Sequence, residues 1–103
     1  MATPVAGLAA QTGASPGVPI NAIGPNQAGG YIVNPLSATD QGLPNAEVLF
    51  VSQVGPADTS ANNVTVALQP GQSYTVIPNT TTPVSVASGS ANHKFTAVQW
   101  PAP

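Results

Sequence analysis

The sequence predicts an all-β fold, a small antiparallel β-sandwich or barrel of about six strands, preceded by an extended N-terminal arm. Three observations predict it. From Tyr31 onward, short β-branched and aromatic runs are separated by Pro, Gly, Asn and Ser at roughly 8–12-residue spacing. No segment carries the 3.6-residue apolar period of a helix. Residues 1–30 carry neither a helical nor a strand period, so two regions are expected: an arm over 1–30 and a β-domain over 31–103.

In the arm the apolar residues Val5, Leu8, Val18, Ile20 and Ile23 stand isolated among prolines at 4, 16, 19 and 25. Proline fixes φ and removes an amide donor, which favours an extended path. Gly29-Gly30 reads as a hinge into the domain. Tyr31-Ile32-Val33 is the first strand, closed by the turn opener Asn34-Pro35. Residues 35–45 are the weak link, because Pro35, Gly42 and Pro44 prevent a long strand. Glu47 to Val54 puts Val48, Phe50 and Val54 on one face and Leu49 and Val51 on the other, the pattern of a central or covered strand. Val64 to Leu68 alternates as a half-buried strand should. Pro70-Gly71 occupies the central positions of a type II turn, so the return run Tyr74 to Ile77 is expected to complete a hairpin. Val84 and Val86 mark the next strand. Lys94 to Trp100 is the last, stopped by Pro101.

Composition restricts function. Of 103 residues only Asp40, Glu47, Asp58 and Lys94 are charged, 4% against about 25% in an average domain. Polarity comes instead from 10 Thr, 8 Ser, 8 Asn and 7 Gln. One Lys and no Arg cannot neutralise a phosphate backbone or hold an anionic lipid surface, so neither nucleic acid nor membrane is expected as a partner. The absence of Cys excludes disulfides and thiolate chemistry. Val, Leu, Ile and Phe number 23, enough for a marginal core. The N-terminus lacks a basic region and a continuous apolar run, so synthesis in a cytoplasm without a secretion signal is expected.

Candidate chemistry is sparse, and no enzyme activity and no cofactor are expected. The three carboxylates fall in loops or at a strand start, where turn capping explains them. His93 has no second His with which to build a metal site inside one chain, and it reads as an exposed loop-end residue; symmetric copies in an oligomer are the alternative. Ser90, His93 and Asp58 contain the letters of a catalytic triad without any local signature of one. Asn63-Val64-Thr65 and Asn79-Thr80-Thr81 match the glycosylation pattern, which turn and strand propensities also explain. Tyr31, Tyr74 and Trp100 are either interface anchors or a sugar-stacking platform. A folded part of about 70 residues with hardly any charged strand residue reads as a protein that assembles, as a dimer or trimer.

The runs GGYIVNP, EVLFVSQVGPA, VALQPGQSYTVIP, PVSVAS and HKFTAVQW resemble small β-sandwich proteins that decorate the heads of tailed bacteriophages. The likeness covers residues 30–100 and rests on the Asn-Pro after the first strand, the Leu-x-Pro-Gly-x-Ser hairpin and the aromatic C-terminal strand. It implies a structural virion protein, a capsid decoration or cement protein made in the host cytoplasm, with the major capsid protein as partner and no catalytic residues to carry over. The arm residues Val5, Leu8, Val18, Ile20 and Ile23 are then expected to dock on neighbouring subunits, because thirty extended residues reach up to about 100 Å. Residues 31–100 would fold without them. A tail, head-fibre or adhesion module binding host glycans, or a bacterial surface β-domain, is the alternative.

Overall fold

The computed structural model describes residues 5–10, 19–24, 27–60, 64–78, 81–90 and 93–101, with the backbone alone at 5–10, 27, 100 and 101. In chain order the elements are β1 (Val5–Ala10), β2 (Ile20–Ile23), β3 (Gln27–Val33), α1 (Ala38–Gln41), β4 (Leu49–Ser52), β5 (Val66–Leu68), β6 (Ser73–Val76), β7 (Val84–Ser88) and β8 (Lys94–Pro101). They form two four-stranded sheets, of order β1-β8-β3-β6 and β2-β7-β4-β5. Every pairing is antiparallel.

The pairs β1–β8, β2–β7, β3–β6 and β4–β5 describe one long ribbon that doubles back between β4 and β5. The ribbon is rolled so that β8 also pairs β3 and β7 also pairs β4. That is the connectivity of an eight-stranded jelly roll. The sheets stay open, with β1, β6, β2 and β5 at the edges, so the molecule is a sandwich and not a closed barrel.

Alternation along the strands decides what enters the core. Ile32 stands opposite Tyr74 and Ala97 in the first sheet. In the second, Leu49 faces Leu68, and Val51 faces Val86. With Ile23, Val76, Val84 and Phe95 these residues form the apolar centre. Each fully buried side chain contributes about 1.5–3 kcal/mol. On the other face of β4, Phe50 and Val48 are half-buried, and β4 is flanked on both sides as its two-faced apolar pattern requires.

Three expectations change. The segment read as a separate arm supplies β1 and β2, and the boundary at residue 30 falls inside β3. These edge strands draw their hydrogen bonds from β8 and β7, and in β2 Ile23 is the one buried side chain. Gly29 and Gly30 are not a hinge; they sit in β3 beside the register shift between Gln27 and Gly30, with φ of 108° and 154°. A Cβ on Gly30 would come 2.0 Å from the Val98 carbonyl oxygen, so the bulge requires glycine. Residues 35–45 hold α1, capped by Ser37, whose Oγ accepts from the Asp40 amide at 3.1 Å, and ended by Gly42 at φ 72°.

The third change concerns the Pro70-Gly71 turn. It forms as expected, with the Gln72 amide donating to Gln69 O at 3.0 Å and Gly71 at φ 88°. It does not make a hairpin, because β5 pairs β4 in one sheet and β6 pairs β3 in the other. The turn is a corner between layers, held by Gly71 N to Asn34 O (2.7 Å) and Asn34 N to Gln72 O (3.0 Å). A turn sequence dictates where the chain reverses, whereas the burial of Leu68 and Val76 decides which neighbour each strand takes.

Candidate interaction surface

The residues expected to meet a partner are dispersed. Val5 and Leu8 lie in β1 opposite Gln99 and Thr96. Val18 lies outside the described residues, as do Asn63 and Asn79 of the glycosylation patterns. Ile20 pairs with Val86 and packs half-buried against the core. Ile23 is 1% exposed and belongs to the core, so the surface it docks on is this chain's own sandwich.

The aromatic platform also divides. Tyr31 stands opposite Thr75, which places Tyr31 and Tyr74 on opposite faces of the same sheet. Tyr31 is on the outer face and 40% exposed. Tyr74 points inward and donates its hydroxyl to Gln53 Oε1 at 2.7 Å. Gln53 also exchanges two bonds with the Ile77 backbone, at 2.9 and 3.1 Å, so the pair clasps the two sheets together. Burial pushes the Tyr74 phenol above its ordinary pKa. Of Trp100 the structure describes the backbone, as part of β8.

The edges form uncharged surfaces on the two sides of the sandwich. None of the edge strands β1 (VAGLAA), β2 (INAI), β5 (VAL) and β6 (SYTV) contains a charged residue. Beside β5 and β6 the exposed apolar side chains Val54, Val64, Val66 and Ile77 gather at one corner. β5 runs antiparallel to β4 with Val66 opposite Val51, which carries Val64 toward the Val54 end. The Gln53 clasp brings Ile77 to the same end. Val64 holds φ 54°, a left-handed conformation that is sterically costly for a β-branched residue, and it is 73% exposed. Near that end, on the β2–β7 side, lies a shallow pocket of about 310 Å³ lined by Pro19, Asn21, Pro56, Thr82, Pro83 and Ser85.

The opposite end is closed by a buried polar network. Asn34 Nδ2 donates to Glu47 O and Leu68 O, each at 2.9 Å. Its Oδ1 receives Gln41 Nε2 at 3.1 Å and His93 Nε2 at 2.9 Å. Gln41 also bonds the Glu47 amide and Pro35 O, at 2.8 and 2.7 Å. His93 Nδ1 lies 3.0 Å from Ser88 Oγ, and Ser90 Oγ donates to Glu47 Oε2 at 2.8 Å. The reading of His93 as an exposed loop-end residue is therefore corrected: it is 0% exposed, with both ring nitrogens engaged inside the chain. Burial lowers its pKa below the ordinary 6.5, and the nearby Glu47 carboxylate only partly opposes this. Ser90 turns to Glu47, and Asp58 accepts from the Ser60 amide at 2.8 Å in a separate turn, so Ser90, His93 and Asp58 form no triad. Among the described residues, no three of His, Asp and Glu come together as a metal site would need.

One signal in the sequence points to this network. Asn34, Ser88 and His93 each stand two residues from an inward-facing apolar residue, namely Ile32, Val86 and Phe95. Period-two alternation carries them inward. Comparison of the chain with protein families, with curated proteins and with solved structures finds no match.

Proposed function

We propose that this chain is a structural virion protein that decorates and stabilises a phage head shell, with the major capsid protein as its partner and self-association as a dimer or trimer. The observation that carries the reading is the freedom from charge of all four edge strands. Proteins that remain monomeric blunt their edges with charges, prolines or covers. Here the edges invite strand pairing, and the Val54, Val64, Val66 and Ile77 corner adds apolar contact. The jelly-roll architecture is used by viral capsid domains and by lectins. The adhesion alternative loses support because Tyr31 and Tyr74 do not share a face.

The contact surface moves accordingly. Since β1 and β2 are built into the sandwich, the edges and the corner replace a free arm as the docking elements. The test is to add purified protein to heads that lack it and to measure binding and heat resistance. Wild-type protein should bind at a fixed stoichiometry and raise the temperature at which the heads burst. Ala67→Lys on β5 and Thr75→Lys on β6, both exposed, should fold normally and bind at least tenfold more weakly, since a buried unpaired charge is costly. If wild-type protein neither binds nor protects the heads, the reading fails.

A further inference from the structure

The end network contains a proton-dependent choice that the packing of a merely structural plug would not need. Both hydrogens of Asn34 Nδ2 go to backbone carbonyls, so Oδ1 is the atom facing His93, and Nε2 of the imidazole must carry a hydrogen. In the neutral ring Nδ1 is then an acceptor. Its neighbour Ser88 Oγ has one hydrogen and two acceptors within reach, His93 Nδ1 at 3.0 Å and Ser90 O at 2.9 Å. A proton on Nδ1 reverses that contact: the ring donates to Ser88 Oγ, and the hydroxyl turns to Ser90 O. The hydrogen-bond geometry admits both states, and the difference between them is a charge in a fully buried site.

Few groups are placed to compensate that charge. The Glu47 carboxylate, just before β4, is held by Ser90 Oγ, while the Glu47 backbone bonds Asn34 and Gln41. Lys94, the next residue along β8, is exposed and lays its stem along Gly42, adding positive charge on that side. Asp40 on α1 is exposed, and the Asn34, β5 and β7 sides contribute neutral groups only. Around His93 converge the ends of β3, β7 and β8, the segment carrying Glu47, and α1 through Gln41.

We propose that His93 and its partners Asn34, Ser88 and Glu47 form an acid-sensitive latch, which holds α1 and residues 88–90 on the end of the sandwich while the ring is neutral and lets them open to water when the ring is protonated. The half-buried Ser90–Glu47 bridge is the side from which solvent enters.

Because the chain has one histidine, the ring can be followed directly. Full-length protein with ¹⁵N-labelled histidine is titrated by NMR, with amide hydrogen exchange measured in parallel. At pH 7 the spectrum should show the neutral Nε2–H tautomer. Protonation should occur below pH 6.5 and coincide with at least a tenfold faster exchange at Gln41, Glu47 and Ser90, while Ile32 and Val51 stay protected. Glu47→Gln should move the titration to lower pH. The latch is refuted if the ring titrates at or above 6.5, if the other tautomer is present, or if exchange at the three amides is unchanged across the titration. It is equally refuted if core and latch amides lose protection together, which would make the transition global unfolding.

Discussion

Gly30 and His93 are where single atoms matter most. Substituting Gly30 with Ala places a methyl group 2.0 Å from a backbone oxygen at φ 154°, and β3 cannot yield without losing its register on β8. We expect a cost of about 3 kcal/mol or more, read as a lower urea midpoint. For His93→Ala, removal leaves a cavity in a buried site and takes one partner each from Asn34 Oδ1, which keeps Gln41, and from Ser88 Oγ, which keeps Ser90, so a loss of about 2–4 kcal/mol is expected, far outside the roughly ±0.5 kcal/mol of a surface change. The pH dependence has a definite sign. The folded chain holds the His93 proton less tightly than the unfolded chain. As pH falls through 6.5 the unfolded state takes up the proton first, and stability declines until the folded state is protonated as well. Urea midpoints at pH 7.5 and 5.5 should differ for wild-type protein, and the difference should shrink in His93→Gln.

At the scale of elements, the N-terminal strands carry the next expectation. Deleting residues 2–28 removes β1 and β2, takes Ile23 out of the core and turns β7 and β8 into new edges. The truncated chain should lose the cooperative thermal transition and its β-type circular dichroism, and not persist as an independent domain. A truncated chain that melts like the full-length protein would show that β1 and β2 add nothing to the fold. The four-residue helix α1 depends on its ends. Ser37→Ala removes the one side-chain cap on its first turn and should cost about 1 kcal/mol. Because Gln41 of α1 donates to Asn34 and accepts from the Glu47 amide, the effect should be accompanied by faster amide exchange across that end.

Association belongs to the whole molecule. With one cation and three carboxylates in the chain, contacts through the edges and the Val54–Ile77 corner have few ion pairs to screen. Sedimentation at 50 mM and 500 mM salt should therefore report the same oligomeric distribution, unlike an assembly built on exposed charges. A stable monomer at micromolar concentration under both conditions would remove the support for edge-mediated assembly. Jelly-roll connectivity also joins the first strand to the last, so most of the sheet pairings are distant in sequence. Refolding should consequently be slow, in milliseconds to seconds, by stopped-flow measurement.

What could be read from the sequence was whatever depends on neighbours along the chain. The β class, the two-faced character of Leu49 to Val51, the type II turn at Pro70-Gly71 and the near absence of charge all follow from local chemistry. The inward phase of Asn34, Ser88 and His93 becomes legible only once a strand is taken to continue past its last apolar residue. Tertiary structure decided the rest. Nothing local distinguishes a Pro-Gly hairpin from a corner between two sheets, since both use the same turn dihedrals. Nothing in Val5–Ala10 or Ile20–Ile23 reveals a strand, because an edge strand needs few apolar residues when a distant partner supplies its hydrogen bonds. The core is filled only when β2 meets β7 and β3 meets β8, across gaps of some sixty residues in the chain. That burial, and not any propensity of the N-terminal segment, determines that Ile20–Ile23 belongs to the fold.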